Sequence, residues 1–188
     1  MPVICGLDLA TNSGIALFDG DTFLHAEAFR AKGETHAERF HRFRTHLRAT
    51  LVAFGVEHAA LEAPLQSGLT RNEVDKETGN IRKVPSTTMQ TLEFAYGMRA
   101  IASEVLWSLN IHPHEVHQGS WRKAFFRDGI GKATSEERKK MALAQCQLLR
   151  WPVTSADAAE ACGVAWWLAG QLQLHNGALP GDLFCNVA

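Results

Sequence analysis

The chain has few of the features that mark a disulfide-stapled, membrane-bound or polyelectrolyte protein. Its four cysteines, at positions 5, 146, 162 and 185, are far apart and form no Cys-x-x-Cys pair. That spacing excludes a zinc ribbon or a disulfide frame and reads as free thiols serving as small apolar side chains. No apolar run approaches a membrane span, and the N-terminus meets Asp8 before a signal-peptide core is complete, so the expectation is a cytoplasmic protein with no membrane partner. Charge of one sign is not in excess either: 19 Lys+Arg against 20 Asp+Glu give a formal net charge of −1 over 188 residues. Any contact with nucleic acid must then come from local patches. There is no internal repeat and no low-complexity segment. What remains, 46% hydrophobic and 21% charged residues, is the composition of one globular domain. We place it at residues 1–175, with 176–188 as a C-terminal tail.

The residue pattern then gives the elements. Val3 to Ala10 reads as a buried strand, Ile15 to Phe18 as a second, and Thr22 to Phe29 as a third; Asp19-Gly20 between apolar runs signals a hairpin, so the chain opens as a three-stranded antiparallel meander. From Thr35 the period changes, with Phe40, Phe43, Leu47, Leu51 and Phe54 at helical spacing and Gly55 placed to end the helix. His58 to Glu62 is a short buried strand. Residues 64–86 hold no sustained period and read as a long flexible loop. A helix follows from a cap at Ser86 to Leu109, then a strand at Ile111 to Val116 whose Pro113 favours the sheet edge. Two helices, about Thr134 to Leu149 and Ser155 to Leu174, complete the pattern. The fold class is α/β, a mixed five-stranded sheet of the meander plus parallel strands, flanked by helices.

Four carboxylates fall at positions that composition does not explain. Asp8 sits in an otherwise apolar strand, Glu62 ends another, and Asp157 and Glu160 share one face of the last strong helix at i, i+3 spacing. A buried carboxylate costs several kcal/mol unless hydrogen bonds or a cation satisfy it. Oxygen ligands suit Mg²⁺ or Mn²⁺, and four of them suffice for two ions that clamp the attacking and leaving oxygens of a phosphodiester. Taken singly, Asp157 and Glu160 are better explained as first-turn residues of a capped helix, and Asp8 can be a turn former and Glu62 a strand-end charge; it is their joint order that points to a site.

The ordered set Ile4-Cys-Gly-Leu-Asp8 through Gly14-Ile-Ala-Leu, Ala60-Leu-Glu62, Leu92-Glu-Phe-Ala-Tyr-Gly-Met-Arg99, Gly129-Ile-Gly131 and Asp157-Ala-Ala-Glu160-Ala resembles the RuvC family of Holliday-junction resolvases over most of residues 3–170. The resemblance implies a ribonuclease-H-like fold, a homodimer, and endonuclease action on four-way DNA junctions. It also implies that Asp8, Glu62, Asp157 and Glu160 are both the catalytic residues and the ligands of Mg²⁺ or Mn²⁺, two ions per site. Three positions depart from the family pattern. Glu160 stands where Asp is usual, Leu65 stands where an aromatic residue wedges open the junction, and the 66–85 loop is longer than in cellular enzymes. The short chain and inserted loop point to a phage-type relative, hence bacterial or host cytoplasm.

Basic residues supply the candidate DNA contacts. Arg122, Lys123, Lys132, Arg138 and Lys139 belong to a cluster between the last strand and the next helix, the region where the resemblance places a basic residue on the catalytic side. In the long loop, Leu65 is the candidate wedge, and Arg71, Arg82 and Lys83 are candidate contacts balanced by Glu73, Asp75 and Glu77. A further cluster, Arg39, Arg42, Arg44 and Arg48 with three histidines, is read equally well as a solvated helix face or as a nucleic-acid contact. Gly129-Ile-Gly-Lys132-Ala-Thr134 lacks the leading glycine of a phosphate loop, which excludes a nucleotide cofactor there. His112, His114 and His117 have no cysteine nearby and read as surface histidines rather than a zinc site.

The expected activity is resolution of branched DNA by symmetric phosphodiester hydrolysis. The alternatives are a non-catalytic junction-binding module and a related nuclease acting on forks, flaps or RNA. Symmetric cutting calls for a C2 homodimer, and Phe94, Met98, Ile101 and Val105 are the expected interface.

Overall fold

The computed structural model describes residues 1–63, 70–74, 79–85, 88–126 and 133–174. Strands β1 (Val3–Asp8), β2 (Ser13–Asp19) and β3 (Thr22–Phe29) form the antiparallel meander, turning at Gly20 with φ 64°. Helix α1 (His36–Phe54) starts in a capping box in which Thr35 and Glu38 satisfy each other's backbone N–H groups. It ends at Gly55, whose left-handed φ of 63° a side chain would strain. Strand β4 (Val56–Glu62) returns parallel to β1. Beyond it lie β5 (Thr70–Val74) and β6 (Ile81–Pro85), then α2 (Met89–Ser108), β7 (His114–Val116), α3 (Gln118–Phe126), α4 (Ser135–Leu148) and α5 (Ala156–Gln171). The main sheet runs β3-β2-β1-β4-β7, so the Pro113-led strand is an edge strand.

Alternation at period two sends side chains to two cores. Cys5, Leu7, Ile15, Leu17, Ala59 and Leu61 pack under α1 and α2. Ile4, Ala16, Phe18, Ala60 and Val116 pack under α3, α4 and α5. Helix α5 is buried along most of its length and lies directly against β1 and β2. Gly6 and Gly14 allow that approach: a β-carbon on Gly6 would overlap the backbone of Ala161 and Ala165, and one on Gly14 would overlap the carbonyl of Asp157.

Four expectations need correction or lie elsewhere. The 64–86 segment is not loop throughout, because β5 and β6 pair as an antiparallel ribbon with Glu73 opposite Arg82 and Asn72 opposite Lys83. This ribbon is a sheet of its own, outside the main core, so its pairing needs no apolar alternation. Helix α3 was not anticipated. The cap of α2 is Thr88, while Ser86 falls outside the described residues, as does 176–188. Finally, Phe94, Met98 and Val105 are buried and Ile101 is partly buried in the core shared with α1. They are the inward face of α2 and are not available to a partner subunit. Cys5, Cys146 and Cys162 are free and buried.

Candidate metal centre

The site forms where β1 and β4 end. Their parallel register pairs Leu7 with Leu61, which sets Asp8 beside Glu62 at the same edge of the sheet. Period two turns both toward the α5 side, as with Ile4 and Ala60. Helix α5 arrives with its first turns over this edge and contributes Asp157 and Glu160. Oxygen atoms of Asp8, Asp157 and Glu160 lie within 4.8 Å of one another. Helix capping does not account for the pair on α5: Ser155 makes no side-chain cap bond, and neither Asp157 nor Glu160 occupies the third helical position that a capping box requires.

Glu62 is held apart from those three by α3. Gln118 Nε2 donates to its Oε1 at 2.7 Å and Trp121 Nε1 donates to its Oε2 at 2.8 Å. Arg99 donates to the Glu62 carbonyl and pairs with Glu115. Trp121 is fully buried, and its ring lies where a β-carbon on Gly163 would be.

The local electrostatics are those of crowded negative charge. Burial raises the Asp8 carboxyl well above its ordinary value, and the neighbouring Glu62, Glu160 and Asp157 add to the rise. Burial likewise raises Glu62, against the opposing hydrogen bonds from Trp121 and Gln118, and raises Glu160 against the opposing charges of Arg122 and Lys139. Lys139 Nζ reaches Asp157 Oδ1 at 2.6 Å, a hydrogen bond that raises the Lys139 ammonium. Arg122 Nη2 lies 3.3 Å from Glu160 Oε1, with its guanidinium over the Trp121 ring. Four carboxylates against these two cations leave a formal charge of −2, and all the donors are hard oxygens. The residues present fit a divalent cation of the Mg²⁺ or Mn²⁺ kind. A cleft of about 130 Å³, lined by Leu9, Thr11, Ala63 and Phe94, opens beside Asp8 and Glu62.

The expected DNA contacts separate into different roles. Arg122 is only 11% exposed and turned inward to Glu160, not outward as a surface cation. Arg138 Nε donates to the carbonyls of Ala133 and Thr134, at the start of α4. Lys123 and Lys83 are exposed. Arg71 and Arg82 lie on β5 and β6. Leu65 and Lys132 fall outside the described residues. Sequence reasoning missed Gln118 and Trp121; the available signal was a polar residue and an indole at i, i+3 following the edge strand.

No protein-family profile and no curated protein sequence matches the chain. Solved structures do. RuvC of Thermus thermophilus in complex with Holliday junction substrate superposes with a TM-score of 0.66 at 15% identity, covering 93% of this chain and 96% of that one. A second Thermus thermophilus RuvC structure gives 0.62 at 18% identity, covering 92% and 96%. The chain has a RuvC-like fold. The yeast mitochondrial Holliday junction resolvase Ydc2 shares it with a TM-score of 0.54 at 12% identity, covering 91% of this chain and 79% of that one. Within the RuvC-like frame the acidic group Asp8, Asp157 and Glu160 sits on the central strand and on the helix packed against it. Among the described residues no helix is long and apolar enough to cross a membrane.

Proposed function

We propose that the protein is a divalent-metal-dependent endonuclease that resolves four-way DNA junctions by hydrolysing symmetrically placed phosphodiesters. The observation that carries this reading is the convergence of Asp8, Asp157 and Glu160 within 4.8 Å at the end of a central strand. The known RuvC structure in complex with junction DNA supports the choice of substrate.

In this reading Asp8, Asp157 and Glu160 hold Mg²⁺ or Mn²⁺, and Glu62 completes the set from the position that Gln118 and Trp121 give it. When bound, such ions supply Lewis-acid charge and a water of lowered pKa to an in-line displacement. The chain's own groups prepare the site. Burial and mutual repulsion keep the carboxylates in need of a cation. Lys139 and Arg122 orient Asp157 and Glu160. Lys123 on α3 and Arg138 on α4 serve as phosphate contacts in this reading, and Lys132 keeps the same role from the sequence alone. Leu65, Arg71, Arg82 and Lys83 are kept as DNA contacts on the strength of the sequence.

Two cuts on opposing strands require two such sites, which a C2 homodimer provides. Because the inner face of α2 is committed to the core, the partner must use another surface.

The test is cleavage of a labelled synthetic four-way junction in Mg²⁺ and in Mn²⁺, with Asp8→Asn beside the wild type. Paired symmetric nicks that disappear in Asp8→Asn while binding persists are the expected result. Junction bound but uncut by both proteins at any divalent ion would overturn the enzymatic reading in favour of a binding module. Cleavage of forks, flaps or RNA in preference to the junction would overturn the substrate assignment.

A further inference from the structure

We propose that the groove between edge strand β3 and helix α1 is a second binding site for a nucleic-acid phosphate backbone, built on Arg30, Lys32 and Arg42 and remote from the acidic centre. It rests on the reading above of branched DNA as the substrate and adds where one arm of that DNA lies.

The basic residues of α1 do two different jobs. Arg44 makes a paired contact with Glu104 at 3.0 and 3.2 Å, Arg48 donates to Ser108 Oγ at 2.8 Å, and Arg39 donates to the Gly33 carbonyl at 2.9 Å. Those three tie α1 to α2 and to its own lead-in. Arg42 belongs to another stripe, with Thr45, His46 and Ala49 at i+3, i+4 and i+7, and this stripe faces the end of β3. The two elements enclose a groove of about 640 Å³, to which the chain after β3 adds Arg30 and Lys32. No carboxylate lines it. Arg30 and Lys32 have no ion-pair partner among the described residues, and both are exposed.

The wall of the groove is built rather than incidental. The His46 ring stacks on Phe29 at 4.0 Å with an interplanar angle of 7°, and its Nε2 is fixed 2.7 Å from Glu27 Oε1. That contact engages the nearby carboxylate of β3; Arg42 has Glu38 one turn before it on α1, while Arg30 and Lys32 face no carboxylate of the groove. Cationic, carboxylate-free walls suit an extended polyanion and not an apolar ligand.

The sheet register ties the groove to the acidic centre. Asp8 pairs with Gly14 and Gly14 pairs with Ala28, so the end of β3 lies at the same sheet edge as Asp8, two strands away. Two strand spacings are about 10 Å, and α1 packs on the face opposite to the one Asp8 takes, so DNA joining the two must cross the sheet edge. A junction arm that leaves the acidic centre past the end of β3 therefore passes the groove.

The deciding experiment measures junction affinity of the full chain against salt, for the wild type and for Arg30→Ala/Lys32→Ala/Arg42→Ala. An Arg44→Ala/Arg48→Ala variant controls for loss of charge on the other face of α1. Each lost phosphate contact lowers the slope of log K against log salt by about 0.9. The groove variant should lose about two to three units of slope and bind at least about tenfold more weakly at 0.1 M salt, while Arg44→Ala/Arg48→Ala keeps the wild-type slope. Hydroxyl-radical protection of one junction arm should vanish in the groove variant and persist in Arg44→Ala/Arg48→Ala. A wild-type slope in a groove variant whose melting temperature is unchanged overturns the proposal and leaves the nuclease reading intact. If the protein binds DNA without cutting it, the nuclease reading fails and the slope still decides the groove. Absence of binding to any nucleic acid overturns both.

Discussion

The indole N–H of Trp121 points at Oε2 of Glu62 across 2.8 Å, linking a helix that follows the edge strand to the end of a strand in the middle of the sheet. Gln118 holds the other oxygen of the same carboxylate. Replacing Trp121 by Phe keeps an aromatic ring in the core and removes this donor together with part of the buried indole. Loss of a hydrogen bond to a buried charged group costs about 1–3 kcal/mol, and displacing a carboxylate from its orientation beside a metal typically costs 10–100-fold in activity or metal affinity. Trp121→Phe should thus remain folded by circular dichroism and cut junctions about 10–100-fold more slowly, with the loss partly recovered at high Mn²⁺. Full activity in this variant would show that Glu62 needs no orientation from α3.

Asp8→Asn removes a carboxylate that burial and three like-charged neighbours oppose. In chelator the variant should melt higher than the wild type, by about 2 °C or more, since each kcal/mol shifts the midpoint of a chain this size by about 2–4 °C. With Mg²⁺ the order should reverse, because only the wild type gains from the ion. Differential scanning fluorimetry in both buffers checks the crossover.

The same repulsion predicts a pH dependence. Asp8, Glu62 and Glu160 all titrate above their ordinary values of 3.8, 4.5 and 4.5 in the metal-free fold. The folded chain therefore holds protons that the unfolded chain releases. This contribution to stability is fully present below the ordinary carboxylate values and is lost as pH rises through the raised ones. In chelator, stability from denaturant melts should increase as pH is lowered from neutral toward that range, before general acid unfolding intervenes. Saturating Mg²⁺ should flatten the slope. A stability that falls steadily from pH 7 downward in chelator would contradict the raised values.

Gly6→Ala tests the packing that brings α5 to the sheet. The added methyl has no room against the backbone of Ala161 and Ala165. Overpacking of this kind costs about 1–3 kcal/mol or more, and relief requires α5 to move outward, carrying Asp157 and Glu160 away from Asp8. The variant should show a lowered melting temperature together with metal affinity reduced beyond what the stability loss explains, measured by isothermal titration. Ala53, exposed near the end of α1, offers the control: Ala53→Gly should lower stability without touching metal affinity.

What could be read from the sequence followed from burial and chain chemistry. Asp8 stood out because the strand around it is apolar, and Gly55 because a long periodic segment needed an end. The candidate carboxylates were legible as types in order, and the structure supplies the convergence of Asp8, Asp157 and Glu160. Helix α3 was not legible: its buried side chains are Trp121 and Phe125, one i, i+4 pair, and Gly119 sits in its first turn. Missing that helix meant missing Gln118 and Trp121, the partners of Glu62. The β5–β6 ribbon escaped because it forms its own sheet outside the main core. The inner face of α2 was read as an interface because a periodic apolar stripe looks the same whether it meets another chain or, as here, α1.

Gly6 and Gly14 place α5 against β1 without a side chain between them, while Asp8, Asp157 and Glu160 push the same two elements apart. Under the proposed metal-dependent function, helix docking and ion capture are one equilibrium. An ion bound across strand and helix works as a removable cross-link, and the amide hydrogens of α5 should report it: their exchange with deuterium should be faster than that of α1 in chelator and should slow selectively when Mg²⁺ is added.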